Sequence, residues 1–269
     1  MAVDLVFGDG TAGRILHGDL NKVAEPTRAN AEFVKLAFNG TVPNTFESTV
    51  LTQTVWARVL DDELKQAKAT TSDADRSKAK DLLFEELGSL FPDSTDPKAD
   101  SERMYGQVPY LPFIVELQAR EIALAAVLKA TAPANAGNPC ASHILVATQD
   151  EANQVVADLK GGADFATEAK AKSTDPGSKD KGGDLGCVDP TNYVQGFADA
   201  VKTAPVGQIV GPVQSSFGWH VIKVTGYEAD GDQLAQDKLK TGLGAARITV
   251  DQRVGTWDPQ KLSITPAAS

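Results

Sequence analysis

Trp219-His220-Val221-Ile222-Lys223-Val224-Thr225-Gly226-Tyr227 alternates with the two-residue rhythm of a strand and puts His220, Ile222 and Val224 on one face. A second short apolar run of strand type, Ser142-His143-Ile144-Leu145-Val146, carries another histidine. The chain has three histidines in all, His17, His143 and His220. One histidine in a strand is more often a satisfied core residue than a reactive one. Two histidines in the two strands of this character are expected to lie side by side in one sheet and brace each other through a shared proton.

The segment between these strands is punctuated clearly. Thr148-Gln149-Asp150-Glu151 has the form of a capping box, Ala152, Val155, Val156 and Leu159 follow at helical spacing, and Gly161-Gly162 stops the helix. A second short helix is expected over Phe165 to Lys172, then a turn-rich stretch from Ser173 to Gly183. A strand over Asp184 to Val188, a helix from about Val194 to Thr203 and a turn at Gly211-Pro212 lead to the final strand. The order strand, helices, strand, helix, strands predicts an α+β fold with an antiparallel sheet.

The flanks read differently. Residues 1–137 carry a helical pattern, strongest in Phe46, Val50, Leu51, Val55, Val59, Leu60 and Leu64, which recur mostly at three- and four-residue steps. Ser72-Asp73-Ala74-Asp75 resembles a capping box, and Pro112 suits a first helical turn ahead of Ile114, Leu117, Leu124 and Leu128. Residues 92–101 and 131–139 read as a loop and a linker. Beyond 229 come a short polar helix, the run Ile248-Thr249-Val250, and Trp257, which is expected to pack on the first helical segment.

The 269 residues allow one large domain or two ordinary ones, and 42% hydrophobic with 23% charged residues is ordinary for a globular chain with a core. A formal charge of -10 argues against a nucleic-acid partner, which needs a basic face. No stretch approaches the ~18 apolar residues of a membrane span. Met1-Ala2-Val3-Asp4 lacks the basic start and apolar run of a signal peptide and reads as a start placed on a trimmed mature chain. The chain holds two cysteines and no Cys-x-x-Cys, so no structural metal site is expected from them.

Three separated segments carry a family resemblance: His143-Ile144-Leu145-Val146; Asp175-Pro176-Gly177-Ser178 leading to Gly182-Gly183-Asp184-Leu185-Gly186; and Gly211-Pro212-Val213 with Phe217-Gly218-Trp219-His220-Val221-Ile222. In order and spacing, over about 90 residues, they resemble the parvulin-type peptidyl-prolyl cis/trans isomerases. The resemblance implies a parvulin domain over 138–229, a four-stranded antiparallel sheet with surrounding helices. It implies paired central histidines at His143 and His220, a polar residue beside the substrate bond at Asp175, and a hydroxyl near the histidines at Ser215. It also implies a pocket for the proline ring at Leu185, Tyr193, Phe197 and Phe217. Tyr193 departs from the more usual Met or Leu. Asp175 also has the simpler reading of a turn cap, and Tyr193 and Phe197, at helical spacing, that of core residues. Ala147-Thr148-Gln149-Asp150 stands where phosphate-directed parvulins carry a basic cluster, so a phosphorylated substrate is not expected. The implied chemistry is rotation about a bond and calls for neither metal nor cofactor.

Cys140 and Cys187 flank the first two strands of that pattern. If those strands are neighbours the two can form a disulfide, closing a loop of about 48 residues; the alternative is two buried thiols. The extracytoplasmic setting of the resembling proteins favours the disulfide.

The flanks resemble, in architecture and in the tail Val250 to Asp258, the helical domain of secreted foldases of the SurA and PrsA type, in which a parvulin domain is inserted. By that resemblance residues 1–137 with 230–269 form a mostly helical chaperone-like domain. The partners implied are unfolded or proline-containing segments of exported proteins. The location implied is extracytoplasmic, at a cell surface or in a periplasm-like space, with a lipid-bearing Cys upstream of Met1, as in actinobacterial surface lipoproteins. Two functions follow: an active prolyl isomerase that assists folding, or a non-catalytic holdase that uses the parvulin fold to bind peptides.

Overall fold

The computed structural model describes residues 3–7 and 10–267, the His17 side chain apart. The chain divides into two compact units, one from residues up to Ala130 together with those from Gly231, the other Thr131–Asp230.

The first unit begins with strands β1 (Val3–Val6) and β2 (Ala12–Ile15) and continues through α1 (His17–Ala29), α2 (Ala31–Phe38), α3 (Phe46–Gln66), α4 (Asp73–Gly88), α5 (Pro97–Gln107) and α6 (Tyr110–Thr131). The chain's later strands and helix in this unit are α10 (Gly231–Ala245), β7 (Arg247–Val250), β8 (Gly255–Asp258) and β9 (Ser263–Pro266). The stripe predicted on α3 forms the centre of the core: Val50, Leu51, Val55, Val59 and Leu60 are all buried against Leu124 of α6 and Leu239 and Leu243 of α10. Ser72 and Asp75 form the reciprocal capping box expected at the start of α4. The terminal hairpin docks on α3, where Thr52 Oγ1 accepts from the Ile264 N–H at 2.9 Å and the Trp56 indole N–H donates to the Leu262 carbonyl at 2.9 Å.

Two expectations for this unit are corrected. The first 137 residues are not wholly helical: β1 pairs antiparallel with β2 and, from the other end of the chain, with β7. Four-residue strands are too short for their alternation to stand out beside long helices, although Val3 and Leu5 are buried. Residues 92–101 are not all loop either. Asp96 caps α5 by accepting from the Ala99 N–H at 3.0 Å, and Pro97 takes the first helical position. The residues that suggested a loop are a helix start.

The second unit contains β3 (Asn138–Val146), α7 (Gln149–Lys160), α8 (Phe165–Lys172), β4 (Asp184–Cys187), α9 (Gln195–Thr203), β5 (Ile209–Ser215) and β6 (Gly218–Glu228). They build an antiparallel sheet in the order β4-β3-β6-β5, so the α+β architecture is the one read from the sequence. Thr148 and Glu151 make the predicted capping box of α7. One face of the sheet, with Ala141, Ile222 and Val224, packs on Phe197 and Val201 of α9. The other, with Ile144, Val146 and Val221, packs on α7 and α8 through Ala152, Val155, Phe165 and Ala169. Gly211-Pro212 lies inside β5 instead of forming a free turn; pairing with β6 shifts register between Val210 and Val213. Proline offers no N–H to a ladder, and an edge strand such as β5 tolerates that interruption.

Candidate active site

The histidines sit on the two central strands, β3 and β6, both buried and both facing α9. Their rings are close to parallel, at 20°, and their Nδ1 atoms lie 3.1 Å apart. Phe197 stands edge-on to both, with ring centroids 5.6 Å from His143 and 5.3 Å from His220.

The loop after α8 brings Asp175 to the pair. It is tied to β3 at both ends: the Thr174 N–H donates to the Leu145 carbonyl at 2.8 Å, and the Gly183 carbonyl accepts from the His143 N–H at 2.8 Å. Just before Thr174, the buried Ser173 hydroxyl oxygen accepts from the N–H groups of Leu145 and Asp175. Gly183 has φ of +83°, and a Cβ there would lie 2.3 Å from the His143 carbonyl oxygen, so this close approach requires glycine. With the loop fixed, Asp175 Oδ2 lies 2.8 Å from His143 Nε2.

The charges set the direction of every hydrogen bond in the chain of groups. Burial pushes the Asp175 carboxyl up, but hydrogen bonds from Ser178, His143 and the Gly177 N–H outweigh it and hold it at about 2. At neutral pH it is a carboxylate and can only accept, so His143 Nε2 carries a hydrogen. Burial, and then the neighbouring His143, lower His220 to about 4, so His220 is neutral. The hydrogen between the two Nδ1 atoms is assigned to His220, so that His143 Nδ1 accepts from His220 Nδ1–H. His220 Nε2 then accepts from the Ser215 hydroxyl at 2.7 Å, and Ser215 Oγ accepts from the Phe217 N–H at 3.0 Å. The tautomers are assigned from this network. The result is one polarised chain running from Phe217 N–H to the Asp175 carboxylate.

Of the residues singled out in the sequence, His143, His220, Asp175, Ser215 and Phe197 come together here. Leu185 and Tyr193 join the same cluster as half-buried members, with Tyr193 4.6 Å from Phe197 between ring centroids. Tyr193 is not on the helix with Phe197, as its spacing suggested; it follows a short 3-10 turn at Pro190–Asn192, before α9 begins. Phe217 stands apart, 69% exposed at the turn between β5 and β6. Cys140 and Cys187 are direct partners across β3 and β4 and are joined by a disulfide. The sequence reading assigned no role to Ser178, whose hydroxyl donates to Asp175 Oδ2 at 2.5 Å and lies 3.0 Å from His143 Nε2. The signal was present in Asp175-Pro176-Gly177-Ser178, where the serine passed as turn chemistry.

The sheet with its paired inward histidines lies in the segment that matches a known family. Residues 142–226 match the family described as Rotamase, PPIC-type PPIASE domain, so the chain carries a domain of the parvulin-type peptidyl-prolyl cis/trans isomerases. The chain is 51% identical over 84 residues to a probable parvulin-type peptidyl-prolyl cis-trans isomerase of Bordetella pertussis, covering 30% of this chain and 33% of the relative. It is 49% identical over 84 residues to the foldase protein PrsA 4 of Bacillus cereus, covering 31% and 30%. It thus matches about a third of the length of these curated relatives. Among solved structures it resembles the peptidylprolyl isomerase PrsA of Bacillus anthracis at 27% identity and a TM-score of 0.35, over 71% of this chain and 86% of that one.

Proposed function

We propose that the protein is a peptidyl-prolyl cis/trans isomerase that assists the folding of exported polypeptides outside the cytoplasm. The observation that carries this reading is the polarised chain Ser215–His220–His143–Asp175 laid against the Phe197 ring. Rotation about an X-Pro bond meets a barrier of ~18–20 kcal/mol because twisting breaks the C–N resonance, and uncatalysed it takes tens of seconds or more. An apolar seat for the pyrrolidine ring, formed by Phe197, Leu185 and Tyr193, holds the bond with little water around its carbonyl. A fixed polar field beside it favours the twisted amide over either planar form, which is catalysis without a covalent step. Residues 1–137 and 230–269, mostly helical, act in this reading as the chaperone-like part that holds a client, and membrane attachment is through a lipid.

A protease-coupled assay on short peptides with varied residues before proline tests the reading. Acceleration that depends on Phe197 supports it; no rate above background on any peptide refutes it. One observation favours the second reading, a non-catalytic holdase: the Tyr193 ring lies against Phe197, and its hydroxyl is buried without a hydrogen-bond partner, which narrows the seat. Suppression of aggregation by a protein inactive in the peptide assay would establish the holdase.

A further inference from the structure

Ser178 is 1% exposed, so it does not meet a substrate, yet its hydroxyl sits at the junction of the polar chain. Asp175, by contrast, retains 23% of its side-chain exposure, and a carboxylate on two free torsions facing water has no reason to hold one orientation. Three donors hold it. Oδ1 accepts from the Gly177 N–H at 3.1 Å; Oδ2 accepts from the Ser178 hydroxyl at 2.5 Å and from His143 Nε2–H at 2.8 Å. The first of these anchors Oδ1 to the loop's own backbone and makes no link to the imidazole. The Ser178 bond is the one that sets Oδ2 beside the imidazole. A serine whose hydrogen goes to the carboxylate also presents its oxygen lone pairs to His143 Nε2, 3.0 Å away, so it favours the same ring hydrogen twice.

We propose that Ser178 is a positioning residue of the isomerase site: it fixes the Asp175 carboxylate against His143 and thereby sets each of the two histidines in a single tautomer. The consequence spreads along the chain. Without the hydroxyl, Asp175 Oδ2 competes for water and His143 is free to move its hydrogen to Nδ1. Two Nδ1–H groups cannot face each other at 3.1 Å, so His220 must then carry its hydrogen on Nε2 and can no longer accept from Ser215. The field beside the substrate is then an average over two opposed polarities. The kinetic side of this inference rests on the isomerase reading; the tautomer side does not.

The test uses the full chain, whose three histidines give a simple 15N spectrum. At neutral pH the unmutated protein is expected to show Nε2–H with a bare Nδ1 on His143, and Nδ1–H with a bare Nε2 on His220. In Ser178→Ala the nitrogen shifts of both rings are expected to move to intermediate values, and Ser178→Cys, a weaker donor of similar size, to lie between. In the peptide assay kcat should fall about ten-fold in Ser178→Ala with KM within two-fold, since the group acts on the rotating bond and not on ring binding. A folded Ser178→Ala protein with unchanged nitrogen shifts overturns the proposal. So does an unmutated protein with the hydrogen on Nδ1 of His143, which decides the matter even if the variant fails to fold. If neither protein accelerates isomerisation, the isomerase reading falls, while the spectra still decide the role of Ser178.

Discussion

The carbonyl oxygen of Gly183 accepts from the backbone N–H of His143 at 2.8 Å, so the strand that carries one histidine also anchors the loop that carries Asp175. Gly183→Ala places a methyl 2.3 Å from the His143 carbonyl in a left-handed backbone. It is expected to cost roughly 2–4 kcal/mol of stability and to pull Asp175 away from the histidines. Denaturant unfolding followed by intrinsic fluorescence measures this; a loss under about 1 kcal/mol would show that the loop relaxes freely.

Asp175→Ala removes the acceptor that polarises the chain, and Phe197→Ala removes the ring behind both histidines. Each should lower kcat/KM by about ten-fold or more while leaving suppression of client aggregation intact. Equal loss of both activities would mean that isomerisation and holding are not separate properties of the two units.

Acid should weaken the second unit in two stages. His220 is lowered from an ordinary 6.5 to about 4, first by burial and then by His143. The unfolded chain takes up that proton near 6.5 and the folded protein near 4, so stability falls as pH drops across that interval and this contribution is level below it. Asp175 lies at about 2 against an ordinary 3.8, because its hydrogen bonds outweigh the opposing effect of burial. Its contribution is complete above 3.8 and is lost as pH falls toward 2. Each stage is worth on the order of 1–2 kcal/mol, less than the full ~1.4 kcal/mol per pH unit because solvent screens part of it. Thermal melts from pH 7 to 2 read this out, and His220→Asn should erase the upper stage; a wild-type Tm unchanged between pH 7 and 4 contradicts it.

Thiol titration under denaturing, non-reducing conditions should find no free thiol, because Cys140 and Cys187 are bonded. The bond spans 47 residues in sequence and clips the edge strand β4 to β3. A dithiol reductant, or Cys140→Ser with Cys187→Ser, should lower stability by up to about 4 kcal/mol in the chain-entropy model. It should also raise KM, since β4 carries Leu185. An unchanged Tm after full reduction would mean that the remaining hydrogen bonds hold β4 alone.

What the sequence made legible follows from how local each signal is. The strands with His143 and His220, the capping boxes at Thr148 and Ser72, and the helix over 165–172 depend on neighbours within a few residues, and the structure has each of them. The convergence of His143, Asp175 and His220 was legible only because three ordered motifs matched one family. The strands β1 and β2 escaped because their partner β7 lies at the far end of the chain and four residues carry little pattern. Asp96-Pro97 was read as a loop because the same residues serve turns and helix starts. Ser178 was missed because burial at 1% is a tertiary fact, and a serine after glycine in a turn is ordinarily solvated.

The pairing of β1 with β7 also orders events in time. A chain emerging from the ribosome can complete the second unit, whose strands are near one another in sequence, while the first unit still lacks α10, β7 and the hairpin that covers α3. Until α10, β7 and the hairpin have been made, the part of the α3 surface that they cover lacks its partners, and β1 keeps one bare edge. The chain, before those segments are made, thus presents an apolar surface of its own, and the arrival of α10 to β9 closes it.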